Sequence, residues 1–73
     1  MGVVGPTPLL RYFEFDHLRE GPLRNTSRPF HKLAHELDEM LPGGPEKTVA
    51  LRKLLEAKDA AVRAALDIEE VRP

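Results

Sequence analysis

Residues 45–66 read PEKTVALRKLLEAKDAAVRAAL, and the fold turns on this stretch. Leu51, Leu55, Lys58, Val62 and Ala65 are separated by four, three, four and three positions. That is the heptad spacing that keeps one seam of an α-helix turned toward a partner. Leu54, Ala57, Ala61 and Ala64 broaden the seam, and the alanines let a neighbouring backbone come close. The pattern predicts a helix over 48–66. Pro45 suits its opening turn, where a backbone N–H is not needed, and Glu46 sits at the positive end of the helix dipole.

Immediately upstream, Pro42-Gly43-Gly44-Pro45 cannot continue a helix and predicts an interhelical turn. Before it, Leu23, Ser27, Phe30, Leu33, Ala34, Leu37 and Leu41 recur at three- and four-residue intervals, which predicts a second amphipathic helix over 23–41. Pro29 lies inside this run and removes one backbone hydrogen bond. It either kinks the helix or marks the start of its regular part, with Thr26 and Ser27 as capping candidates in the second case. Arg19-Glu20-Gly21-Pro22 is a break. Every aromatic residue except Phe30 falls in Arg11-Tyr12-Phe13-Glu14-Phe15-Asp16-His17-Leu18. There Phe13, Phe15 and His17 alternate with Glu14 and Asp16, the period of an extended segment. The organisation expected is a flexible arm over 1–10, a helical hairpin domain over 11–66 and an acidic, fraying tail over 67–73. The fold class is all-α: an antiparallel two-helix hairpin with an extended aromatic N-terminal arm.

A domain of 73 residues hides only about 60% of its unfolded surface and is marginal alone. The chain has no cysteine, which excludes disulfides and thiolate metal sites. A two-helix hairpin has a single contact line, so its leucines need neighbours, and a homo-oligomer is expected on physical grounds. A net charge of −1 argues against a binder of long nucleic acids. No run approaches the roughly 18 apolar residues of a membrane span. The first ten residues lack a basic start and an apolar core, and Pro6 stands where a myristoylation signal wants Ser or Thr. A cytoplasmic protein is expected.

His31 and His35 are four apart, but Lys32 stands where a zinc-protease pattern has Glu, and no third ligand is evident. They read as surface histidines; no metal and no cofactor is expected. No nucleophile turn or phosphate loop occurs. Glu46, Lys47 and Thr48 put free N–H groups and a cation at a helix start, which suits a phosphate when repeated about a symmetry axis. Tyr12, Phe13 and Phe15 read first as a lid over the hairpin, and second as a stacking platform for bases with His17 beside it. Arg24, Arg28 and Lys32, spaced by fours, make a basic strip near the aromatic arm. Aromatic surface beside cations is what a small phosphorylated ring ligand requires. Lys58, on the apolar seam, either snorkels to water or lines a polar channel between protomers.

Several of these residues form a pattern. An aromatic residue, then His-Leu, then a basic residue in helix one appears as Phe15, His17-Leu18 and Arg28 followed by Phe30. Helix two contributes Pro45-Glu46-Lys47-Thr48, the run from Ala50 to Ala57, and Val62-Arg63-Ala64. Over roughly residues 12–66 the chain resembles the hairpin domain shared by phage anti-CBASS and anti-Thoeris nucleotide sponges. The resemblance implies a protein that is not an enzyme and forms a homo-hexamer. It implies binding of cyclic di- or trinucleotides, or cyclic ADP-ribose relatives, without cleaving them, in the cytosol of an infected host. It further implies that Phe13 or Phe15 stacks on a base and that Arg28 meets the phosphates. Glu46, Lys47, Thr48 and Arg52 would line a second pocket on the symmetry axis. Ala60, Ala61 and Ala64, where larger side chains are usual, and Pro29 in helix one depart from the pattern. The alternative is a small hairpin that masks a host protein with its apolar seam, the aromatic arm serving as anchor.

Overall fold

The computed structural model describes residues 8–71, with side chains placed through Asp67. A 3₁₀ helix, Pro8–Phe13, leads into α1, Pro22–Met40, and a short turn joins α1 to α2, Pro45–Val71. Helices joined by turns make up the described chain, with no strand among the described residues, and α1 and α2 pack as a hairpin.

The aromatic run is not an extended arm. Pro8 presets the backbone angle of a turn, and Leu10 and Phe13, three residues apart, eclipse one another in a helix of three residues per turn. Both are buried, Phe13 completely. An extended segment would have had no neighbouring strand to take its backbone hydrogen bonds; the 3₁₀ turn supplies them locally. The boundary expected at residue 10 is therefore also corrected, because Leu10 belongs to the packed core. Residues 1–7 of the expected arm lie outside the described residues.

Both long helices start in the same way. Gly21, at φ 138°, precedes Pro22, and Gly44, at φ 150°, precedes Pro45. At these angles a side chain is strained, so glycine is required, and the proline behind it fixes the first helical φ. The Gly21 carbonyl accepts from the Asn25 N–H at 3.0 Å and the Gly44 carbonyl from the Thr48 N–H at 3.2 Å. α1 runs unbroken through Pro29, so neither Thr26 nor Ser27 caps it; Ser27 is buried in mid-helix. Pro29 leaves the Asn25 carbonyl without its helical donor, and packing of Phe30 and Ala34 holds the helix through it. α1 stops where Leu41, ahead of Pro42, turns extended.

α2 is 27 residues long, about 40 Å at the helical rise. It continues to Val71 in place of the frayed tail expected from residue 67. Asp67 to Val71 contain no Gly or Pro, and the breaker comes only at Pro73. The heptad seam is the buried stripe: Leu51 and Ala65 are buried, and Leu55, Lys58 and Val62 partly so. Leu10, Phe13, Ala34 and Leu51 form the centre of the core, with Leu9, Phe30, Leu37, Leu54 and Leu55 packed around them. Thus the 3₁₀ helix supplies the third wall that two helices lack. The molecule remains thin, 53 × 20 × 15 Å. Leu33, expected on the buried face, is 42% exposed, and Met40, Val49 and Leu66 are exposed as well. Among the described residues no helix is long and apolar enough to cross a membrane.

Candidate functional site

Between the 3₁₀ helix and α1 the chain makes a tight turn, closed by the Leu18 N–H donating to the Phe15 carbonyl at 3.0 Å. This turn leaves Phe15 partly exposed above α1. Two arginines one helical turn apart reach the ring. The guanidinium carbon of Arg24 lies 5.2 Å from the ring centroid and that of Arg28 lies 5.6 Å from it. Both are within cation–π range. His31 meets the same ring edge to face, with centroids 5.1 Å apart at 77°. His31 Nδ1 is 3.2 Å from the Phe13 carbonyl. A carbonyl can only accept, so Nδ1 carries the proton. The His35 ring lies 4.3 Å from that of His31. Its Nε2 is buried with no hydrogen-bond partner among the described residues.

The two arginines are differently engaged. Arg24 Nη1 donates to the Leu18 carbonyl at 2.8 Å, Nη2 is 3.8 Å from Asp16 Oδ1, and Nε is 4.0 Å from Glu20 Oε2. Arg28 is exposed, and among the described residues it has no hydrogen-bond or ion-pair partner, only the Phe15 ring. Lys32, the third member of the expected strip, is exposed one turn beyond.

Of the aromatics proposed for stacking, Phe13 is withdrawn: it is fully buried and presents no face to a ligand. Tyr12 is half exposed and pairs with Arg11, whose guanidinium carbon lies 5.1 Å from the ring and whose Nη2 donates to the hydroxyl at 3.2 Å. His17 is exposed and lines a cleft of about 340 Å³ with Leu18, Arg19 and Leu23. That volume is at the lower end of the range for small-molecule sites, roughly 300–1,000 Å³.

The second predicted group, at the start of α2, stands apart. From Arg28 to the end of α1 is 12 residues, about 18 Å of helix, so one subunit does not bring the two groups together. Lys47 is not the free cation expected there. Its Nζ lies 3.0 Å from Asp38 Oδ1 and donates to the Asp38 carbonyl at 2.8 Å, with both side chains largely buried. It clasps the turn shut. Thr48 is exposed, its hydroxyl donating to the Gly44 carbonyl at 3.3 Å, and Arg52 is exposed one turn later. Lys47→Met is expected to lower stability by about 1–2 kcal/mol, the range of a charge-assisted bond reduced for partial exposure. The midpoint of urea unfolding measures it. An unchanged midpoint would show that the clasp is incidental.

Sequence reasoning missed His31 as a neighbour of Phe15. The signal was its position, three residues after Arg28 and therefore on the same helical face. Among the described residues no three His, Cys, Asp or Glu side chains gather as a metal site would require. No family model, curated protein or solved structure matches the chain.

Proposed function

We propose that this chain binds a cyclic di- or trinucleotide, or a cyclic ADP-ribose relative, and sequesters it uncleaved. The observation that carries this is the pairing of a partly exposed Phe15 ring with an Arg28 guanidinium that has no other partner among the described residues. A base stacks on Phe15, a contact worth about 1–3 kcal/mol. Arg28 then turns its free N–H groups to a phosphate, where the planar fork matches two oxygens at once. The resemblance of residues 12–66 to phage nucleotide sponges supports the same ligand class. It also supports a role in immune evasion inside the host cell and the absence of any bond-breaking step. Mass action suffices as mechanism: a protein in excess over the messenger, binding below its activating concentration, lowers the free level.

A homo-oligomer belongs to this proposal. Leu33, Met40, Val49 and Leu66 are apolar side chains left exposed along a thin molecule, and second copies would cover them. The resemblance favours six subunits. A two-fold pair of chains would offer Arg28 twice to a ligand with two phosphates. The axial pocket, with Lys47 already bound to Asp38, rests on Thr48 and Arg52 in each copy.

Native mass spectrometry with cyclic dinucleotides, cyclic trinucleotides and cyclic ADP-ribose isomers tests all of this together. The expected result is an oligomer that carries a ligand of unchanged mass. A monomer that takes up none of them, or a ligand recovered hydrolysed, ends the proposal.

A further inference from the structure

Arg24 was expected in the basic strip, as a cation for phosphate. Its geometry says otherwise. Each of its three nitrogens faces a different acceptor on the connector before α1: the Leu18 carbonyl at 2.8 Å, Asp16 at 3.8 Å and Glu20 at 4.0 Å. Its guanidinium carbon lies over Phe15 at 5.2 Å from the centroid. The edge of the guanidinium is turned to the connector, with one N–H hydrogen-bonded to the Leu18 carbonyl and two nitrogens within ion-pair distance of the carboxylates, and a ring is at hand for its face, so turning it to a ligand would break these contacts. Nε is itself buried and lacks a hydrogen bond, a cost that only the rest of the arrangement offsets.

We infer that Arg24 is a positioning residue: it holds the turn that carries Phe15, and it keeps Asp16 and Glu20 beside a cation of the chain's own. Both carboxylates are exposed, so their pairing with Arg24 is weak as a source of stability. It is effective as charge sorting. An anionic ligand approaching Phe15 meets acidic groups already neighboured by Arg24, while Arg28 has no carboxylate partner among the described residues. The short bond to the Leu18 carbonyl fixes the turn. This rests on Phe15 being the stacking surface proposed above.

Arg24→Lys separates the two roles. A lysine keeps the positive charge and can still serve a phosphate, but it cannot reach three divergent acceptors and lie over a ring at once. Amide hydrogen exchange of the full-length chain, without ligand, is the first measurement. Faster exchange at the Leu18 N–H is expected in both Arg24→Lys and Arg24→Gln, with far-UV circular dichroism unchanged. Calorimetry with cyclic di-AMP as the probe is the second, and Arg24→Lys should weaken binding by about tenfold. Wild-type protection of that turn in both variants overturns the inference, and so does wild-type affinity in Arg24→Lys. If the unsubstituted chain binds no cyclic di-AMP, that ligand class is in question while the exchange result still decides the role of Arg24.

Discussion

Phe13→Ala is expected to destabilise the chain by about 3–5 kcal/mol, the cost of emptying a large aromatic site in a packed core. A domain of 73 residues has a total stability of only about 4–11 kcal/mol at the usual value per residue. One substitution thus removes about a quarter or more of what holds it folded. The reason lies in where Phe13 sits. It is completely buried against Leu51 and Ala34, and the 3₁₀ helix has little besides Leu9, Leu10 and Phe13 to hold it on the hairpin. The Phe13 carbonyl also accepts from His31, so loss of the ring loosens the support beneath Phe15. Phe15→Ala serves as the contrast: Phe15 is only partly buried, and the change should cost under about 1 kcal/mol of stability. Urea unfolding followed by circular dichroism separates them. A Phe13→Ala midpoint equal to that of Phe15→Ala would mean the 3₁₀ helix is not part of the core.

Much of the fold was written in local pattern. The seam through Leu51, Leu55, Lys58, Val62 and Ala65 is the buried stripe of α2, and the turn falls at Pro42-Gly43-Gly44-Pro45 as the breakers require. Two features depended on the chain's return upon itself, which spacing cannot report. Phe13, Phe15 and His17 alternate because Phe13 ends a 3₁₀ helix and the next two lie in turns, not because a strand is present. Pro29 allowed either a kink or a boundary, and there is no boundary: tertiary packing of Phe30 and Ala34 carries α1 across it. The candidate site was legible in its parts and not in its roles. The four-residue spacing put Arg24 and Arg28 on one face. That one would be hydrogen-bonded to the Leu18 carbonyl, while the other has only the Phe15 ring among the described residues, depends on the path of the connector. Lys47 shows the same limit: a cation at a helix start looks available until the preceding helix is found to end with Asp38 beside it.

Arg28→Ala is expected to weaken binding of a cyclic dinucleotide by about 1.5–3 kcal/mol, roughly ten- to a hundredfold. Two effects oppose each other. Removing the guanidinium uncovers Phe15 and ends a cation–π contact worth about 0.5–1 kcal/mol at an exposed site, which eases the approach of a base. It also removes the donor fork that meets the phosphate, a charge-assisted interaction about twice as strong as a neutral bond. The second effect is larger, so the net change is a loss. It grows further if a two-fold pair of chains presents Arg28 twice to one ligand. Arg28 is exposed, and among the described residues its one ring or polar partner is Phe15, so stability should move by no more than about 1 kcal/mol. Weakened binding therefore cannot be blamed on unfolding. Arg28→Lys should fall between, keeping the charge and losing the bidentate geometry. Titration calorimetry alongside a urea midpoint reads both quantities on the same preparations. Unchanged affinity in Arg28→Ala removes this residue from the site, and Phe15 would then have to hold its ligand without the cation that lies over it.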